Sequence, residues 1–313
     1  MKRIIVFIIG FYLIIAVVML VFAPKPKTLI KMLVVEHQYS QLITGSSELF
    51  EVLIYLSEEN SFLSTKSAIL DARLLGDDAE MEMKINQIVN LGIISSYQND
   101  HYYVFRYSYD ISQYAIDHLS MVFENAILEM TYENDYEVAY EIGDVSLKWE
   151  TIPESTDFDF YRLSGIYGSY SNKEILQGIA IGFDRFIEGD IIIKNISCDI
   201  HGVTFDLSHA IQYDEIVHNM TLYETLGSEY NPINYPSLSD EYVPIIAPSV
   251  IVAIPLNYHD DFIDIWRFPL YIDYEKNGEI KTFIIDDFMY RSEPILIGEE
   301  SCHVHTYQYL YRN

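Results

Sequence analysis

The stretch YIDYEKNGEIKTFII, residues 271–285, decides the fold class. Two runs rich in aromatic and β-branched residues, Tyr271–Glu275 and Ile280–Ile285, flank Lys276-Asn277-Gly278-Glu279. A two-residue type I′ turn needs φ > 0 at both central positions, which Asn-Gly tolerates best. Counting outward from that turn sets Lys276 opposite Glu279, Ile272 opposite Phe283 and Leu270 opposite Ile285. One apolar face results, so turn chemistry and hydrophobic register agree independently.

The period of two extends along the chain. Glu80–Asn86 alternates polar and apolar residues, the pattern of a half-buried strand. Phe50–Leu56 and Ile69–Leu75 read as strands joined by the polar loop Ser57–Lys66. Asn134-Asp135 predicts a second hairpin, with Thr131 opposite Val138 and Met130 opposite Ala139. Asn99-Asp100 predicts a third, with Tyr97 opposite Tyr102 and Ile94 opposite Phe105. Only Ile111–Glu124 has apolar residues near helical spacing, and there a connecting helix competes with an irregular strand. Pro244–Leu256 is apolar but broken by three prolines, which suits an edge strand followed by a core strand.

The amino end is of a different kind. Behind Lys2-Arg3, Ile4–Ala23 runs for twenty residues without a charge. At ~1.5 Å per residue it would span ~30 Å, the hydrocarbon thickness of a bilayer. Val21-Phe22-Ala23 resembles a signal-peptidase site, but Pro24 directly after it hinders cleavage. The expectation is an uncleaved signal-anchor: residues 1–3 cytoplasmic, 4–23 in the lipid bilayer, and the C-terminal part extracytoplasmic. Pro24-Lys25-Pro26-Lys27 begins a stalk, 24–32. The fold class is then all-β: an N-terminal transmembrane helix followed by two β-sandwich, immunoglobulin-like domains, 33–150 and 157–313, joined by a linker at 151–156.

Composition narrows the partners. The net charge is −28, and Lys2 and Arg3 are the only charges before residue 24, so the rest is more negative still. Such a surface repels phosphate backbones and disfavours nucleic acid. With 27 Tyr and 16 Phe the chain can fill packed cores. Cys198 and Cys302 are the only cysteines; one bridge or two separate thiols fit equally.

The sequence has no Gly-x-Ser-x-Gly elbow, His-Glu-x-x-His, Walker loop or dinucleotide-binding glycine pattern, so no cofactor is expected. The leading expectation is a non-catalytic binding or accessory role at the cell envelope, toward another envelope protein or a glycan. One alternative is an envelope hydrolase assembled from loops, in which His201, His209 or His218 meets a Ser or a carboxylate. Another is a calcium- or glycan-dependent adhesion module. Among metal ligands, His303 and His305 in Cys302-His303-Val304-His305 would share one strand face about 7 Å apart. Carboxylates for calcium are densest at Asp260, Asp261 and Asp264, with Asp77-Asp78, Asp157 with Asp159, and Asp286-Asp287 as further clusters. Cys198 and His201 fall on opposite faces of a strand, against a Cys–His dyad. Tyr102, Tyr103, Tyr107 and Tyr109 fit an exposed glycan-binding strip, although core packing explains them better.

Overall fold

The computed structural model describes residues 27–312, apart from 46–47, 117–119, 134–135, 153–156, 171–172, 186–190, 214–242, 246–248, 259–264 and 290–303. The apolar run Ile4–Ala23 lies outside these residues, as do His218, Asp260, Asp261, Asp264, Cys302 and His303. Among the described residues, no helix is long and apolar enough to cross a membrane.

The first half supplies β1 (Lys27–Val35), β2 (His37–Ile43), β3 (Leu49–Leu56), β4 (Ile69–Leu75), β5 (Glu80–Tyr97) and β6 (Asp100–Asp110). A five-residue helix, Ser112–Ile116, leads to β7 (Met121–Tyr132) and β8 (Tyr136–Trp149). The second half supplies β9 (Phe158–Tyr170), β10 (Lys173–Arg185), β11 (Ile191–Ser197), β12 (Val203–Phe205) and β13 (Ile211–Tyr213). Then follow β14 (Val243–Ile245), β15 (Ser249–Tyr258), β16 (Ile265–Lys276), β17 (Glu279–Met289) and β18 (Val304–Arg312). The protein is nearly all β and built from large sheets, in keeping with sandwich-type packing. β1 begins at Lys27 with Ile30 and Met32 buried, so the part of the expected 24–32 stalk from Lys27 onward is strand.

Among the described residues, twelve strands form one continuous path, β14-β11-β16-β2-β8-β7-β4-β5-β6-β3-β1-β18, and β17, attached to β16, is the thirteenth of the sheet. β5 makes this possible. Its first residues, Glu80–Met83, pair with β4, and its later ones, from Lys84 onward, pair with β6. Met81, Met83 and Ile85 point into the core and their neighbours point out, as the alternation requires. A single strand thus turns the corner between two layers. The core beneath holds Met32, Ile54, Leu74, Met81, Val104, Phe123 and Tyr140.

A second apolar cluster lies in the other half. It combines Ile179, Ile181 and Phe183 of β10 and Val252, Ile254 and Leu256 of β15 with Ile193 of β11 and Leu270 and Ile272 of β16. β10 and β15 belong to a five-stranded sheet, β12-β15-β10-β9 with β13 on β15, separate from the thirteen-stranded sheet. The halves meet where β2 runs parallel to both β8 and β16. They meet again where β18 pairs along the full length of β1, Lys27 opposite Arg312 through Val35 opposite Val304.

The 271–285 hairpin has the expected register throughout: Lys276 faces Glu279, Ile272 faces Phe283 and Leu270 faces Ile285. Asn277 and Gly278 both have positive φ, 54° and 82°. The other two hairpins differ. At β5–β6 the turn residues are Gln98 and Asn99, φ 48° and 68°, so Ser95 faces Tyr102 and Ile94 faces Tyr103. The turn sits one position early, a register change of two that leaves every side chain on its face. At β7–β8 the expected turn residues Asn134 and Asp135 lie outside the described residues, and the pairing is one position from the expected one: Tyr132 faces Tyr136 and Met130 faces Val138. That register sets buried Met130 against buried Val138, whereas the expected one set Thr131 against Val138; burial overrode the turn signal. Among the described residues, the helix-like spacing of Ile111–Glu124 is realised over Ser112–Ile116, and Met121 onward is strand.

Candidate functional site

Three side chains from distant parts of the chain converge at the β18 end of the first core. His305 Nε2 lies 2.5 Å from Glu36 Oε1, and its Nδ1 lies 3.3 Å from Glu141 Oε2. Glu36 and His305 are 269 positions apart. His305 and Glu36 are partly buried, at 28% and 31% side-chain exposure, while Glu141 is more open at 59%.

Each side chain is placed by its element. Glu36 is the one-residue break between β1 and β2. His305 is the second residue of β18, opposite Val34. Glu141 lies on β8 two residues before Gly143, which faces His37 in the parallel β2–β8 ladder. Gly143 has φ +93°, and a Cβ there would collide with the His37 backbone. Only glycine lets β8 come this close to β2, and that approach brings Glu141 toward Glu36. Tyr307 locks the corner: its hydroxyl accepts from Glu141 N–H at 3.0 Å, and its ring meets Tyr140 edge-on at 5.1 Å. Burial pushes the Tyr307 phenol above its usual range. The His305 and Tyr307 face of β18 is therefore turned to the protein, while Thr306 and Gln308 are exposed.

Of the metal ligands expected from sequence, His305 is thus part of a cluster. Its partners Glu36 and Glu141 were not legible, since no local spacing connects three residues on three strands. Among the remaining acidic candidates, Asp157 is committed elsewhere. Its buried carboxylate accepts from Lys276 Nζ at 2.7 Å, Lys281 Nζ at 2.8 Å and Tyr274 Oη at 2.8 Å. Burial alone would raise its pKa, but the two ammonium groups and the phenol outweigh it and hold the carboxyl well below the usual range. Asp77, Asp78, Asp159, Asp286 and Asp287 are exposed, and Asp287 pairs with Arg267 at 2.6 Å.

His209 does meet a serine and a carboxylate. Its Nδ1 lies 2.8 Å from both Asp206 Oδ2 and Ser208 Oγ. A hydrolytic relay needs the acid on one ring nitrogen and the nucleophile on the other. Here both face the same nitrogen. Buried Asp206 instead caps the short turn Leu207–His209, accepting from Ser208 N–H at 2.9 Å and from the Ser208 hydroxyl. His201 lies exposed in the turn before β12. Burial pushes the free Cys198 thiol up to about 12, so it is a poor nucleophile. Tyr102, Tyr107 and Tyr109 are buried and Tyr103 is half-buried, which makes them core residues rather than a glycan-binding strip. Tyr107 Oη donates to Leu63 O at 2.8 Å, so its ring fills the core and its hydroxyl ties down a loop.

No family model matches the chain, and no curated protein matches it. Among solved structures, a protein of unknown function from Porphyromonas gingivalis W83 is 10% identical, with 80% of this chain and 97% of that chain covered, at a TM-score of 0.19. A chicken TCR is also 10% identical, with 83% and 100% covered, at a TM-score of 0.19. Likeness at that score carries no argument about function.

Proposed function

We propose that this is a single-pass, membrane-anchored extracytoplasmic β-protein with a non-catalytic binding or accessory role at the cell envelope. The observation that carries the reading is the uncharged run Ile4–Ala23 behind Lys2-Arg3, long enough to span a bilayer and followed by Pro24. In this reading the chain forms two immunoglobulin-like sandwiches, one around each apolar cluster, with β18 returning to the first. The bilayer holds the domains near the membrane and raises their effective concentration toward an envelope protein or glycan. Two observations favour binding over hydrolysis: the single shared nitrogen at His209 and the buried Cys198 thiol.

A reporter fused after Asn313, combined with sequencing of the mature amino terminus, tests this reading. The expected result is an extracytoplasmic reporter on a chain that retains residues 4–23. A reporter facing the cytosol would overturn the orientation, and a mature chain beginning at Pro24 would overturn the anchor.

A further inference from the structure

We propose that Glu36, Glu141 and His305 form a binding site for a first-row divalent cation, zinc being the best fit, that fastens the C-terminal strand to the first core. These residues lie between β1 and β2, on β8 and on β18, and their ligating atoms all fall within 4.8 Å of one another. Both ring nitrogens of His305 face a carboxylate. A neutral imidazole has one N–H, so it can donate to one of the two and must turn a lone pair toward the other. The shorter contact, 2.5 Å to Glu36, is the hydrogen bond. A neutral ring that donates to Glu36 would turn its Nδ1 lone pair across the 3.3 Å gap toward Glu141 Oε2.

A cation resolves that opposition. With Zn–N and Zn–O bonds of ~2.0–2.2 Å in a tetrahedron, adjacent ligand atoms lie ~3.3–3.5 Å apart. The separation of Nδ1 from Glu141 Oε2, 3.3 Å, fits that edge. Glu36 then plays the part an outer carboxylate plays beside a metal-bound histidine: it takes the other ring N–H, fixes the tautomer and orients the ring. Glu141 is the open side of the site, so water completes the coordination. Among the described residues, His305 is the ion-pair partner of both carboxylates, in a chain whose net charge is −28. His305 Nδ1 and Glu141 as ligands, with Glu36 behind the ring, suit zinc better than calcium, which prefers an all-oxygen shell.

The competing account is a second proton on His305, which would bridge the two carboxylates without metal. Full-length protein in detergent, stripped with chelator at neutral pH, separates the two. Titration with zinc chloride should raise the melting temperature saturably, and cobalt(II) should give the visible absorption of a four-coordinate ion. Glu141→Gln, at the exposed position, and His305→Gln should each abolish both signals. Glu36→Gln should weaken zinc by about 10–100-fold without abolishing it. An unchanged melting temperature with zinc, or an equal shift in Glu141→Gln, would overturn the site and leave the proton bridge. This outcome is independent of where the reporter after Asn313 lies.

Discussion

Asp157 shows what a single carboxylate does in this protein. It lies at the entrance to the second half and binds Lys276 and Lys281, on the two strands of the 271–285 hairpin, so it pins that entrance to the hairpin. Asp157→Asn leaves the Lys276 ammonium, 7% exposed, without its counter-charge and should cost about 3 kcal/mol in denaturant unfolding. Asp157→Asn with Lys276→Met should recover part of that loss, because it removes the ammonium that would otherwise stay buried without its counter-charge. The folded-state pKa of Asp157 is depressed, so its stabilisation is full above the unfolded value of about 4. It disappears as pH falls through the folded value, and the mutant should show a shallower loss of stability in acid. Gly143→Ala should cost about 3 kcal/mol, since a non-glycine φ of +93° and a collision with the His37 backbone act together. Neither residue's role was legible in sequence. Asp157 reads as one of many acidic residues because its lysines lie 119 and 124 positions away.

Hairpins show where local chemistry is enough and where it is not. Asn277-Gly278 both prefer positive φ, and the flanking apolar residues already match in that register, so the pairing could be counted directly. Gly278→Ala should cost about 1 kcal/mol at a φ of +82°, read as a lower midpoint in urea with an unchanged slope. The β5–β6 turn uses Gln98-Asn99, a pair with no strong preference, and its position could not be counted from composition. At β7–β8 the buried faces decided: Leu128, Met130 and Tyr132 must point inward with Val138 and Tyr140, so the register moved by one. Strand existence is therefore written in the period of two, while register is written locally only where the turn is strong.

At the scale of the whole molecule, the long-range pairings organise the cores, and none of them has a local sign. β18 returns across the length of the chain to β1, and β2 joins β16 in parallel. A second tie lies between the halves: Tyr271 Oη donates to Asp199 Oδ2 at 2.9 Å, and Lys148 Nζ reaches the same hydroxyl at 3.2 Å. Deleting residues 304–312 should remove the packing of Val304 and Tyr307 and destabilise the first core by about 3 kcal/mol. Hydrogen exchange should show lost protection along Lys27–Val35, with β10 and β15 largely unaffected. Equal loss in both cores would mean that the strand supports the molecule as a unit.

The Lys27–Arg312 end of that ladder also determines how the protein bears tension. A pull applied between Lys27 and Arg312 acts on one end of the ladder, where these two residues face each other. The nine rungs then open one after another toward Val35 and Val304 instead of sharing the load. Drawn between Lys27 and Arg312, the fold should yield at a lower force than when Lys27 is drawn against Val304 at the far end, which loads the rungs in shear, a contrast that single-molecule pulling with the two attachments would measure.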